Sequence, residues 1–116
     1  MNSHNNISYI EIPCKSIEMA KDFFSTVFGW SFVDYGPDYC SFSKRGIDGG
    51  FYRSDANVSV DSGSPLIVLY SEDLDSTQTK IENSGGRIIK PIFEFPGRRR
   101  FHFTDPNENE FAVWTE

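Results

Sequence analysis

Histidine and cysteine are scarce in this chain, with two of each in 116 residues. Cys14 and Cys40 form no CxxC pair, and two cysteines without a leader sequence read as reduced thiols of a cytoplasmic protein. No apolar run approaches the ~20 residues of a membrane span. The polar start, Met1 to Asn6, lacks an apolar core of the secretory kind and is expected to be a frayed tail. Positive charge is short too: 11 Lys and Arg face 17 Asp and Glu, for a net charge of -6. An acidic chain is drawn to neither nucleic acid nor an anionic membrane, so no partner of either kind is expected. No GxGxxG, P-loop, GxSxG or HExxH pattern occurs, which leaves dinucleotide, NTP, serine-hydrolase and zincin chemistry without support. What is abundant is aromatic: 16% of residues, eleven of them Phe. Such a surplus in a chain of one domain's length implies bulky core packing or an aromatic-lined cavity.

Taken in order, Ile7 to Pro13 alternates as a strand, with Ile10 and Ile12 on one face and Tyr9 and Glu11 on the other. Ser16 can cap a helix that carries Ile17, Ala20, Phe24, Val27 and Phe28 and stops at Gly29. Trp30 to Tyr35, Tyr39 to Lys44 and Ile47 to Tyr52 read as short strands, broken at Gly36-Pro37-Asp38 and Arg45-Gly46. Arg53 to Ser64 is polar and reads as a linker. Pro65 to Tyr70 is then an apolar strand, and Asp73 can cap a helix with Leu74, Thr77 and Ile81 that ends at Gly85-Gly86. Strands follow at Arg87 to Ile92, Arg99 to Thr104 and Glu110 to Thr115. The last two form a hairpin around Asp105-Pro106-Asn107, with Phe111 and Val113 on one face and Glu110, Ala112 and Trp114 on the other.

The order repeats: the step from Tyr9 to Leu66 equals that from Ser16 to Asp73, 57 residues. The expected fold is therefore α+β, two βαβββ modules forming a curved mixed sheet around a cleft. Module one covers about 7–52, the linker 53–64 and module two about 65–116, all within one domain.

Three signatures carry a resemblance: EIPCKSIEMAKDFFSTVFGW from Glu11, SEDLDSTQTKIENSGGRIIKP from Ser71, and FTDPNENEFAVW from Phe103. With the duplication, they are similar to the vicinal oxygen chelate superfamily of glyoxalase I, bleomycin-resistance and extradiol dioxygenase proteins. Where that family's DP-x-G-N turn has glycine, this chain has Glu108, and a changed turn geometry is expected. The resemblance implies a divalent metal on the cleft face, held by one ligand from each of four strands. Matched by motif, those positions fall on Tyr9, Gly50, Leu66 and Ala112. Leucine and alanine offer no donor atom, so no metal and no other cofactor is expected. The resemblance further implies a homodimer, and a sequestering role like that of the drug-resistance members.

The remaining polar candidates are few. His102 shares a strand face with Arg100 and Thr104. It is either a general acid or base in the cleft or a partly exposed strand histidine. Glu11 should point at the cleft, as a base, as the anchor for a cationic substrate group, or as the partner of Arg100. Arg98-Arg99-Arg100 either steers an anionic ligand or forms a solvated edge. Tyr9, Phe51 or Tyr52, Tyr70 and Trp114 are expected as cleft walls, or else as core. Ligand contact is expected from Tyr9, Glu11, Tyr70, Arg100, His102 and Trp114, with catalysis, if any, at Glu11 or His102. Three functions remain in play: a metal-free binder of a small organic molecule, a glyoxalase-like lyase or isomerase with a rearranged metal site, and an interaction domain whose cleft its own side chains fill.

Overall fold

The computed structural model describes residues 2–116. Met1, part of the expected tail, lies outside them, while the Asn6 N–H closes a turn on the Ser3 carbonyl. The alternating run Tyr9–Cys14 is β1, and helix α1 follows at Ile17–Phe28. The Ser16 side chain accepts from the Met19 N–H at its start, and Gly29 ends it with φ 72. Strands β2 (Val33–Asp34), β3 (Tyr39–Phe42) and β4 (Asp48–Arg53) complete the first module. The second contains β5 (Ile67–Tyr70), α2 (Leu74–Asn83), β6 (Arg87–Phe95), β7 (Arg98–Thr104) and β8 (Glu110–Thr115). Asp73 caps α2 by accepting from the Ser76 N–H, so the helix starts keep the spacing of the sequence repeat.

The strands form two four-stranded mixed sheets, ordered β1-β4-β3-β2 and β5-β8-β7-β6. In each, the first strand lies parallel to the last, with Glu11 opposite Gly50 and Val68 opposite Ala112. Two strands differ from expectation. β2 is shorter than Trp30 to Tyr35 because Trp30 turns inward, stacking on Phe24 at 4.9 Å and lying 4.6 Å from Phe42. β6 runs past Ile92 to Phe95 and turns tightly into β7 through Gly97 at φ 77. Pro91 interrupts its pairing, and the register with β7 shifts between Ile88 and Lys90 and again between Lys90 and Phe93. Proline lacks the N–H a ladder needs, and it is tolerated here because β6 is an edge strand.

Phenylalanine builds the core. Phe23, Phe24, Phe42, Phe51, Phe101, Phe103 and Phe111 are buried, and Phe28 and Phe32 pack against them. Phe24 has ring neighbours from both modules, Phe51 at 5.4 Å and Phe111 at 5.2 Å. The core therefore runs through both modules.

The turn before β8 ties them together. Asn107 accepts from the Ser16 N–H (2.9 Å) and donates to the Ser16 carbonyl (3.0 Å). Asn109, fully buried, donates to the Pro13 carbonyl (2.6 Å) and accepts from the Val58 N–H (2.8 Å). Glu108 takes a positive φ, 65. The flanking asparagines fix the backbone, and Glu108 bears the strain, about 1–2 kcal/mol for a side chain there. Asp105 orders the turn from inside, its Oδ1 accepting from the Asn107 and Asn109 N–H groups at 3.0 and 2.8 Å.

Two outcomes follow from this turn. Asn109→Ala leaves the Pro13 carbonyl and Val58 N–H without their partner, and a stability loss of roughly 2–4 kcal/mol in urea denaturation is expected. Asp105 behaves differently, because burial lifts its carboxyl to about 7 against the pull of the two N–H donors, and Oδ2 has no partner. A raised carboxyl pKa means that the folded chain holds a proton the unfolded chain has released between about pH 4 and 7. Stability from this group therefore falls as pH rises through that window, by about 1.4 kcal/mol per unit. The stability advantage of Asp105→Asn over the parent should widen from pH 4 to pH 7 and stay constant above pH 8, as read by thermal melting.

Candidate functional site

Each sheet turns one face to the helices and leaves the other open. On the first sheet the open face carries Tyr9 and Glu11 from β1, Tyr39 from β3, and Gly50 and Tyr52 from β4, with Tyr52 directly opposite Tyr39. Phe51, the alternative to Tyr52 as a wall, points into the core and is fully buried. The Tyr39 ring leans across β4, so that its hydroxyl donates to the Glu11 carboxylate at 3.0 Å and meets the Tyr9 hydroxyl. Burial first, then the hydrogen bonds with Tyr9 and Glu11, push the Tyr39 phenol above its ordinary range. It keeps its proton and serves as a donor.

The open face of the second sheet holds Tyr70, Ala112 and Trp114 beside Arg100 and His102. Tyr70 meets Trp114 edge-on at 5.0 Å. Arg98 lies over the Trp114 ring at 5.0 Å, and Arg100 lies between Phe93 and Phe95 at 5.3 and 5.2 Å. The Glu11–Arg100 pair, one of the three uses expected for Glu11, does not form: Glu11 takes the Tyr39 hydroxyl, and Arg100 stacks on its own sheet. His102 is only 5% exposed, neither in open cleft nor partly exposed. Its Nδ1 lies 2.8 Å from Glu110 Oε2, and the other Glu110 oxygen accepts from the Val60 N–H at 2.9 Å. The segment after β4 is thus tied to the second module, since the Val58 carbonyl also accepts from the Glu110 N–H at 2.9 Å.

The six expected contact residues therefore fall into two groups, Tyr9 and Glu11 on one sheet, Tyr70, Arg100, His102 and Trp114 on the other. Among the described residues no hydrogen bond, ion pair or ring contact joins the groups. Sequence reasoning missed Tyr39, whose role depends on a ring reaching diagonally across a neighbouring strand. It also missed a crevice of about 660 Å³ between the edges of β1 and β5, lined by Ile10, Ile12, Trp30, Phe42, Ile67 and Leu69. Those side chains have the alternation of ordinary core, so nothing in their spacing marks a gap.

A sequence model of the Glyoxalase/Bleomycin resistance protein/Dioxygenase superfamily matches residues 6–113. The chain belongs to that superfamily. A glyoxylase-like domain-containing protein of Didymella fabae is 25% identical over 121 residues, covering 95% of this chain and 94% of its own. Two solved structures show the same fold. A family enzyme from Burkholderia phytofirmans PsJN superposes with a TM-score of 0.79 at 16% identity, over 95% of this chain and 98% of its own. The genomically encoded fosfomycin resistance protein of Listeria monocytogenes gives 0.77 at 19%, over 100% and 95%.

The superfamily's divalent metal does not fit its usual positions here. Leu66 and Ala112 present only carbon, and Gly50 has no side chain. A Cβ at Gly50 would collide with the Tyr39 hydroxyl and stand 2.8 Å from the Cys40 carbonyl oxygen. A tyrosine from β3 thus fills the space a ligand from β4 would need. Among the described residues no group of three or more His, Cys, Asp or Glu side chains could hold a metal ion.

The Glu110 carboxyl allows a pH test. Burial raises it, but the hydrogen bonds from His102 and the Val60 amide outweigh burial, and its pKa lies below the usual range. A lowered carboxyl pKa gives stability that is present above the unfolded value and lost as pH falls through the folded one. Glu110→Gln is accordingly expected to cost roughly 1–3 kcal/mol at pH 7 and much less at pH 3, in paired urea titrations.

Proposed function

We propose that this chain is a metal-free, cytoplasmic small-molecule-binding protein of the superfamily. It takes an organic ligand between aromatic walls and acts as a homodimer that needs neither nucleic acid nor membrane. The observation that carries the reading is the Tyr39 hydroxyl over Gly50, together with carbon side chains at Leu66 and Ala112. A site arranged this way offers ring faces, hydroxyls and the Glu11 carboxylate, the fittings of a pocket that grips and orients. No helix among the described residues is long and apolar enough to cross a membrane.

A second copy is supported by three features. The outer edges of β1 and β5 are unpaired, the crevice between them is apolar, and the two open faces differ in charge. Tyr9, Tyr39, Tyr52 and Glu11 lie on one, and Lys90, Arg98 and Arg100 on the other. A face of one chain set against the opposite face of its partner would form a closed cup with complementary walls. His102 has a structural role in this reading, bolted to Glu110. The competing reading, a glyoxalase-like lyase or isomerase, retains one specific observation: Glu11 is exposed and already holds a hydroxyl donor.

Native mass spectrometry of protein purified without added ions separates the two. The expected species is a dimer without stoichiometric divalent metal, with any retained ligand unaffected by chelator. One tightly held divalent ion per chain would overturn the binding reading in favour of the enzyme.

A further inference from the structure

The chain has five tyrosines, and four of them lie on or beside the sheet face that carries the Glu11 carboxylate. Tyr9, Tyr39 and Tyr52 share the open face of the first sheet. Tyr35 joins them from the end of β2, its N–H bonded to the Tyr39 carbonyl and its ring 6.2 Å from that of Tyr39 at 57°. None of the four belongs to the buried core cluster, so these rings are not there merely to fill volume. Tyr9, Tyr35 and Tyr52 are 44%, 64% and 38% exposed. Strand alternation places Glu11 and Asp48 on the same face and no lysine or arginine.

Glu11 has no ion-pair partner among the described residues. The arginines of the second sheet do not supply one, since Arg98 and Arg100 are stacked on rings of their own sheet. The Tyr39 hydroxyl orients one carboxylate oxygen and leaves the charge uncompensated. Electron-rich ring faces around a free carboxylate attract a positive charge on carbon-bearing nitrogen, through the ring quadrupole and the Coulomb term together.

We propose that the ligand carries an organic ammonium group, which binds on the first sheet against Glu11 and the rings of Tyr9, Tyr35, Tyr39 and Tyr52. This names the ligand class for the binding function proposed above and rests on it. The ammonium sits where Glu11 and the tyrosines converge, and the apolar remainder of the ligand extends over the open face. A small, strongly hydrated metal ion is a poor rival, because Glu11, an Asp48 that already accepts from the Lys44 N–H, and neutral phenols do not replace its water shell.

The test is an NMR titration of the full chain with benzyltrimethylammonium, its neutral carbon isostere neopentylbenzene, and benzoate. The expected result is saturable binding of the ammonium that shifts the Tyr9, Tyr39 and Tyr52 ring signals, with the neutral isostere at least about tenfold weaker. Glu11→Gln should weaken the ammonium about tenfold and leave the neutral probe unchanged. Tyr52→Leu, which leaves the carboxylate intact, should weaken it severalfold. Circular dichroism establishes that both variants are folded. Equal affinity for the ammonium and its isostere, or ammonium shifts confined to the Ile67–Leu69 crevice, overturns the ammonium assignment. Preference for benzoate overturns it too and leaves the binding function standing. Failure of all three probes to bind overturns both.

Discussion

The two asparagines of the turn before β8 hold this molecule in its shape. Asn107 grips the start of α1 from both sides of one residue, and Asn109 joins the end of β1 to the segment that follows β4. These bonds form between residues 51 to 96 positions apart, at side chains closed to solvent, where an unmatched amide costs far more than a matched one gains. The placement of both open faces depends on them. So does the seat of Val60 over Glu110, since the Val58 amide is fixed two residues earlier.

Aromatic residues divide by chemistry. Nine of the eleven phenylalanines, with no polar atom, fill or border the core that the two modules share, meeting edge-on, tilted or stacked, while Phe93 and Phe95 lie under Arg100. Tyrosine has a hydroxyl that must stay solvated or bonded, and most of it lies on one open surface. The high aromatic content read from composition thus divides between a core built mainly of phenylalanine and open faces that hold four tyrosines on one sheet and Tyr70, Phe93, Phe95 and Trp114 on the other.

Much of the fold was legible in the chain because its signals are local. Helix starts at Ser16 and Asp73, the stop at Gly29 and the alternation of Phe101 to Trp114 each need only neighbouring residues, and the 57-residue repeat joined them into a duplication. The site was legible in part. Missing donors at Leu66 and Ala112 can be read from residue type alone. The reach of Tyr39 over Gly50, the lock between His102 and Glu110, and the separation of Glu11 from Arg100 are all contacts between distant segments. Alternation says which face a residue takes, but not which neighbour on that face it finds. The extension of β6 from Ile92 to Phe95 was hidden for a related reason: it depends on pairing with β7, in which two register shifts at the sheet margin absorb Pro91.

That same margin bears on how copies of this protein can meet. An exposed strand edge ordinarily offers a template on which another chain can lay itself down, the first step toward fibrils. Pro91 and the stagger around it spoil β6 for that purpose. Pro13 has the same effect on β1, the border of the first sheet, so each sheet has one edge on which a proline breaks the row of N–H donors and discourages backbone-to-backbone growth.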